Sequence, residues 1–129
     1  ICGDQVEAVL ASIFEDGLHA PHVDGIVTSG DSLAVRVLKY LKTRDLVVPD
    51  DIQVIGYSNS GMGLYTTPEL TSIDSRIQDI SHEAVRVMLA VLKGEPAQAV
   101  TILPGEVLKR GTTKPSFLSE TGQNCRKEA

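Results

Sequence analysis

The chain has 129 residues, the length of one domain, and its 42% hydrophobic and 22% charged residues are typical of a globular chain rather than a disordered one. Twelve Lys and Arg residues against 17 Asp and Glu residues give a net charge of −5. This balance argues against nucleic-acid binding by this segment, because phosphate binding needs a basic patch. No apolar stretch is long enough for a membrane span and no signal peptide is visible, so we expect a cytoplasmic protein.

Two cysteines, Cys2 and Cys125, lie at opposite ends of the sequence without a CxxC pair or a Cys/His cluster around them. We therefore expect neither a disulfide scaffold nor a zinc site. The chain opens on Ile1 rather than on Met and reaches a helical pattern almost at once. This start suggests a piece from the middle of a longer polypeptide.

In chain order, the first predicted element is a helix over 4–16, which Gly17 ends. Its apolar residues fall at helical spacing on one stripe: Val6, Val9, Leu10, Ile13 and Phe14. A loop over 18–24 follows, and the short apolar run 25–28 predicts a buried strand. Ser29, Gly30 and Asp31 then give the start signal of a second helix.

The second helix has one apolar face, made of Leu33, Ala34, Val37, Leu38 and Leu41. The β-branched run 52–57 predicts a strand, 58–63 a loop of small residues, and 70–73 a further short strand. A long helix is predicted over 77–93, with Gly94 after its end. Two short strands over 100–103 and 106–109 and a disordered polar tail from about residue 116 complete the reading.

This order alternates helices and strands. Strands joined through helices need crossover connections, which predicts an α/β fold with a parallel sheet flanked by helices. Ligands of such sheets bind outside the carboxyl ends of the strands. Three segments rich in small polar residues occupy that position here, namely 28–31, 58–63 and 74–77, and they leave room for a ligand.

Other kinds of site find little support in the residues. Gly56 and Gly61 have the spacing of a phosphate loop, but the lysine that such a loop requires is absent. His19 and His22 lie in a loop without a third metal ligand, and His82 is expected to be a solvated side chain. Three acidic residues could pair, but the sequence gives no reason to bring them together: Asp31, Asp74 and Glu106. We therefore expect no catalytic residues, no metal, no cofactor and no enzyme activity.

Four sequence motifs follow one another along the chain. The first is 23–34, a strand that ends in Gly-Asp before a helix, and the second is 48–57, V-P-D-D-I-Q-V-I-G-Y. The third is 68–73, P-E-L-T-S-I, and the fourth runs from Leu-Pro at 103–104 to L-K-R-G-T-T at 108–113. Each motif alone is weak, but all four in order and at this spacing resemble the LacI/GalR family of bacterial transcription regulators.

The resemblance implies the C-terminal part of a two-lobed, periplasmic-binding-protein-like (type I) effector domain. By the family pattern, residues 1–75 belong mainly to the C-terminal lobe, 76–105 cross to the other lobe, 106–115 return, and 116–129 form the tail. A small effector, a sugar or a nucleobase-like metabolite, would bind between the lobes and alter how a dimer presents its helix-turn-helix heads to operator DNA. That head and the first half of the effector core are not in this sequence.

The resemblance also carries over to single positions. Ligand-binding positions of the family fall on Gly30, Ser58, Asn59 and Ser75, where Gly30, Ser58 and Ser75 replace longer polar side chains. The implied pocket therefore uses hydroxyls and water rather than a carboxylate grip. The implied interface of a homodimer includes Val35, Leu38, Leu64 and Tyr65. For Val35, ordinary core packing is the alternative to a place in the interface. For the protein as a whole, the alternative to a transcription regulator is a periplasmic sugar-binding receptor of an uptake system, which shares this fold.

Overall fold

The computed structural model describes residues 3–14 and 23–115. Three α-helices, four strands and one 3₁₀ helix follow each other along this part of the chain. In order, they are α1 (Gly3–Phe14), β1 (Gly25–Val27), α2 (Asp31–Thr43), β2 (Gln53–Tyr57), the 3₁₀ helix (Gly61–Tyr65), β3 (Thr71–Asp74), α3 (Ile77–Leu92) and β4 (Glu106–Leu108).

The four strands form one sheet in the order β1-β2-β3-β4. β1, β2 and β3 are parallel, as the alternation of helices and strands predicts. β4 departs from the predicted parallel sheet, because it is antiparallel to β3. After α3 the chain returns to the end of the sheet that it left, so that Glu106 pairs with Asp74, the last residue of β3, and β4 runs back along that strand.

The core lies between one face of the sheet and helices α1 and α2. Its buried hydrophobic residues are Val6, Leu10, Ala34, Val37, Leu41, Ile52, Val54 and Leu70. The predicted apolar face of α2 is confirmed, with Leu33 and Leu38 packed against this core. On α1 the stripe is only partly used, since Val9 and Ile13 remain exposed.

The opposite face of the sheet is open in the part of the chain that the structure describes. Val27 at the end of β1 and Val107 on β4 are 71% and 46% exposed. A groove of about 660 Å³ runs over this face and is lined by residues of β1 and β2, the 49–51 turn and Lys114. Because a parallel sheet normally buries both of its faces, this surface calls for a further covering layer.

Helix α3 is amphipathic, but none of its residues is buried. It agrees with the predicted span to within one residue, and Gly94 follows its C-cap with a positive φ of 74°, as predicted. Residues 100–103 form no strand, and that prediction is wrong. Within the described residues no strand of the sheet pairs with this segment, and Val100 and Ile102 are 71% and 83% exposed.

Some predictions fall outside the described residues: both cysteines, His19, His22, the loop over 18–22 and the tail from residue 116. The end predicted for the first helix, at residue 16, also lies outside them, because the described helix ends at Phe14. Across 3–14 and 23–115, no helix combines the length and the apolarity needed to cross a membrane.

Candidate functional site

The carboxyl ends of β1, β2 and β3 lie side by side at one edge of the sheet. Two backbone hydrogen bonds extend the pairing by one residue beyond the strands: Thr28 N–H donates to Ile55 O, and Ser58 N–H donates to Ile73 O, both at 2.9 Å. The three small-residue segments of the sequence therefore meet at this edge, as the topology of a parallel sheet requires. We refer to residues 28–31, 58–63 and 74–76 together as the carboxyl edge.

Asp31 is the buried centre of the carboxyl edge, with 1% of its surface exposed. It is the first residue of α2, so the helix start predicted at residues 29–31 is confirmed, with Gly30 as the N-cap residue and Asp31 as an acid in the first turn. Its carboxyl group points away from its own helix. Oδ1 accepts a hydrogen bond of 2.6 Å from Ser72 Oγ on β3, and Oδ2 accepts one from the backbone N–H of Ser60. Asp31 thus joins α2, β3 and the loop after β2.

A glycine makes room for this carboxyl group. A Cβ atom on Gly56 of β2 would overlap Asp31 Oδ1 and would lie 2.8 Å from Leu70 Cδ2. Contacts this short are essentially never seen for a real Cβ, so position 56 excludes every side chain unless a neighbour shifts. The glycine of the second motif is therefore required for space.

Asn59 is the second junction of the carboxyl edge. Its backbone N–H donates to Ser72 Oγ at 3.0 Å, and its side-chain Nδ2 donates to Asp74 Oδ2 at 3.1 Å. Its Oδ1 accepts a hydrogen bond of 2.7 Å from Nη2 of Arg110. Through Ser72, the Asp31 and Asn59 junctions form one network, in which Ser72 and Asn59 link the carboxyl groups of Asp31 and Asp74. Nothing in the sequence predicts this link.

Arg110 reaches this network from the segment that follows β4. Thr112 anchors the segment: it is fully buried, and its hydroxyl donates to Val54 O at 2.7 Å and accepts from Thr71 N–H at 2.8 Å. Arg110 belongs to the fourth sequence motif, and the motif alone predicts no role for its side chain. The polar run Arg-Gly-Thr-Thr at 110–113, directly after the predicted strand 106–109, could have indicated that these side chains form hydrogen bonds with the sheet.

The four residues predicted to bind ligand all follow the carboxyl ends of the parallel strands. Ser58 is exposed, and Gly30, Asn59 and Ser75 are half-buried. A side chain on Gly30 would meet no atom within 4 Å, so this position faces open space. Asn59 is the residue of this group whose side-chain polar atoms, Oδ1 and Nδ2, both form hydrogen bonds within the chain.

The four residues predicted to lie at a dimer interface fall on α2 and on the 3₁₀ helix, which lies against α2. Leu64 and Tyr65 are 51% and 91% exposed. Val35 and Leu38 are half-buried, and Leu38 also packs against the core of its own chain. The two helices therefore present apolar side chains to solvent close to one another.

The loop after β2 is a poor cradle for a phosphate. The N–H groups of Ser58, Asn59 and Ser60 all donate within the chain, and so does that of Gly63, to Ser60 O. A phosphate loop needs such groups free to point at its ligand. Nor does the described part of the chain hold three His, Cys, Asp or Glu side chains placed to share a metal ion.

Two pKa shifts occur on α3, away from the carboxyl edge. Nε and Nη2 of Arg86 donate hydrogen bonds to the two carboxylate oxygens of Glu83, and this hydrogen bonding lowers the pKa of Glu83 below its ordinary value. It also raises the pKa of Arg86. His82 is exposed on the same helix, as predicted.

Three parallel strands have small polar loops at their carboxyl ends, and after β3 a helix leaves the sheet before β4 returns to it. This arrangement is that of a periplasmic-binding-protein-like fold. The family of the periplasmic binding protein-like domain matches residues 3–113, and the chain belongs to it, with LacI-type transcription regulators among its relatives. The predicted resemblance and the predicted fold class are both confirmed.

Three relatives illustrate the similarity. The ribose operon repressor of Bacillus subtilis is 33% identical over 95 residues, which are 73% of this chain and 29% of the repressor. A LacI-type transcription regulator from Bifidobacterium animalis is 28% identical with a TM-score of 0.73, over 86% of this chain and 39% of that chain. A periplasmic binding protein/LacI transcriptional regulator from Alkaliphilus metalliredigens, solved with D-xylulofuranose, is 29% identical with a TM-score of 0.63. The similarity covers 70% of this chain and 35% of that chain.

The chain spans about a third of the length of the curated relatives that it matches. These relatives are transcriptional regulators and repressors.

Proposed function

We propose that the chain is the effector-binding and dimerisation part of a LacI-type DNA-binding transcriptional regulator. The observation that carries this proposal is the carboxyl edge: three polar loops meet there, and the Asp31 network holds them in place while Gly30 and Ser58 face outward. An effector in a cleft along this edge acts as a switch without catalysis. Because the relatives are regulators, this role is favoured over that of a periplasmic uptake receptor.

The proposed effector is a small neutral metabolite, a sugar or a nucleobase-like compound. A relative was solved with the sugar D-xylulofuranose, which supports a sugar. On this lobe Ser58 and Ser75 offer hydroxyl groups, Gly30 offers backbone, and none of the three offers a carboxylate. Binding by hydroxyl groups and bridging water fits such an edge.

We also propose the division into lobes that the family pattern implies. Residues 1–75 and 106–115 form the body of one lobe, and 76–105 belong to the other. The apolar residues of α3 support this division, because Val85, Met88 and Leu89 remain 51–60% exposed and no residue of the helix is buried in the described chain. We further propose that a separate helix-turn-helix head binds operator DNA, and that the protein therefore acts in the cytoplasm. In this proposal it acts as a homodimer.

Replacing Ser58 by Trp should abolish effector binding, because the indole ring fills the space above the end of β2. With D-ribose and D-xylulose as probes and the intact protein in the calorimeter cell, we expect the affinity to fall at least about 100-fold, or about 3 kcal/mol. Ser58 has a φ of 97°, a conformation that Asn tolerates well. Ser58→Asn is therefore the matched control, and it should keep the fold and measurable binding. Wild-type affinity in a folded Ser58→Trp protein would remove Ser58 from the site.

Replacing Tyr65 by Asp should weaken the dimer, because it places an unpaired charge in the proposed interface. Tyr65 is 91% exposed in the chain, so the fold of the protomer should be unaffected. We expect the dimer dissociation constant, measured by sedimentation equilibrium on the intact protein, to rise at least about tenfold, or about 1.4 kcal/mol. Val47, an apolar residue exposed outside the predicted interface, supplies the control Val47→Asp, which should leave the dimer intact. An unchanged constant for Tyr65→Asp would place the interface elsewhere.

A further inference from the structure

The loop after β2 holds an unfavourable backbone conformation. Ser58 and Asn59 have φ values of 97° and 48°, in the left-handed region that residues other than glycine seldom occupy. Two such residues in succession persist only where the surrounding contacts hold them. The contacts that hold this loop therefore determine where Ser58 presents its hydroxyl group.

Backbone hydrogen bonds supply part of the restraint. The N–H groups of Ser58, Asn59 and Ser60 donate to Ile73 O, Ser72 Oγ and Asp31 Oδ2. These bonds tie the loop to β3 and to the start of α2. All three bonds use main-chain donors, so the side chain of Asn59 takes no part in them.

The side chain of Asn59 lies between two charged side chains. Its Oδ1 faces Arg110 Nη2 at 2.7 Å, and its Nδ2 faces Asp74 Oδ2 at 3.1 Å. The other oxygen of Asp74 accepts a hydrogen bond of 2.7 Å from the backbone N–H of Arg76, the N-cap residue of α3. The amide of Asn59 thus links the loop to the point at which the chain leaves the sheet.

Arg110 makes its two contacts through different nitrogens. Nη1 donates to Leu70 O, just before β3, at 2.7 Å, while Nη2 donates to Asn59 Oδ1. Its backbone N–H donates to Thr71 Oγ1 at 2.9 Å, which fixes the residue next to β3. Only a planar fork with several donors reaches both oxygens at once, and the single ammonium group of a lysine does not offer that geometry.

We infer that Arg110 is a positioning residue which, through Asn59, fixes the loop that presents Ser58 and couples that loop through Asp74 to the start of α3. In this assignment Asn59 acts by holding the loop, and its amide does not contact the effector. The inference rests on the proposed function insofar as the loop borders the effector cleft. Its structural half, that Arg110 holds the loop through Asn59, can be tested without any effector.

The test is a double-mutant cycle on the intact protein, measured by hydrogen–deuterium exchange of the 58–63 segment without ligand. Arg110→Lys keeps the charge but loses the fork, and Asn59→Ser removes the amide. Each single variant should raise amide exchange in this segment at least about tenfold, while β2 stays protected. The double variant should exchange no faster than Asn59→Ser alone, because Arg110 acts through Asn59. Lys109→Arg, at the exposed neighbour of Arg110, is the matched control and should change nothing.

The same four proteins are then titrated with D-ribose and D-xylulose. We expect the variants whose loop exchanges faster to bind sugar more weakly. The double variant should lose no more affinity than Asn59→Ser alone. Additive effects of the two substitutions, or wild-type exchange in both single variants, would overturn the positioning role. If Arg110→Lys does not fold, Asn59→Ser decides: wild-type loop exchange in that variant also overturns the role. If the loop loosens as expected but neither sugar binds even the wild type, the positioning role stands and the proposed effector class fails.

Discussion

Replacing Asp31 by Ala is expected to destabilise the protein by about 2–6 kcal/mol, because it leaves one buried and one part-buried donor without an acceptor, each costing about 1–3 kcal/mol. The donors are Ser72 Oγ and the N–H of Ser60, and the Asp31 side chain that they contact is fully enclosed. The free energy of unfolding of the intact protein, from a urea titration with an unchanged slope, measures the effect. Binding of D-ribose or D-xylulose should weaken with it, since Ser60 belongs to the loop that presents Ser58.

Two further substitutions separate this effect from the general loss of a carboxyl group. Asp31→Asn keeps the shape and one acceptor oxygen but turns an NH₂ group toward the second donor, so its loss of stability should be intermediate. Asp50→Ala removes an exposed carboxyl group in the turn before β2 and should change the unfolding free energy by less than about 0.5 kcal/mol. If Asp31→Ala behaves like Asp50→Ala, the network does not stabilise the fold.

Helical periodicity explains why the core could be predicted from the sequence. Ala34, Val37 and Leu41 recur at the spacing of one helix face, and a helix that buries one face must bury these residues whatever surrounds it. The run at 100–103 has the composition of a strand, but a strand also needs a neighbour to pair with. That neighbour is a tertiary property, and the described chain provides none at this position.

The position of the candidate site at the carboxyl edge was predictable for a similar reason, whereas the hydrogen bonds within it were not. Parallel strands bring their carboxyl ends to one edge, so Ser58 and Ser75 had to lie on that edge. Asp31 has an obvious local explanation as a helix-start residue, and its real partner, Ser72, is 41 positions away. Arg110 lies 51 positions from Asn59. Contacts over such separations depend on side-chain reach and on register, neither of which periodicity reveals.

Replacing Gly56 by Ala should destabilise the protein by about 1–3 kcal/mol, the usual effect of overpacking a buried position. The added methyl group would overlap Asp31 Oδ1. Asp31 cannot retreat without losing its hydrogen bonds to Ser72 or Ser60, so the strain passes into the network. Urea unfolding of the intact protein measures it. Gly61→Ala is the matched control, because a Cβ at Gly61 would meet nothing within 4 Å, and this variant should unfold like the wild type.

The decisive comparison is Gly56→Ala in the background of Asp31→Ala. Once the carboxyl group is gone, the nearest atom is Leu70 Cδ2, the end of a flexible side chain, and the added methyl group occupies part of the space that Asp31 has vacated. The cost of Gly56→Ala should therefore fall by at least about 1 kcal/mol in that background, an interaction typical of residues in contact. Additive costs would mean that Gly56 is needed for a reason other than Asp31. A large coupling would mean that the glycine of the Ile-Gly-Tyr motif and the aspartate at the start of α2 form one structural unit, with the glycine supplying the space that the aspartate needs to hold the loop.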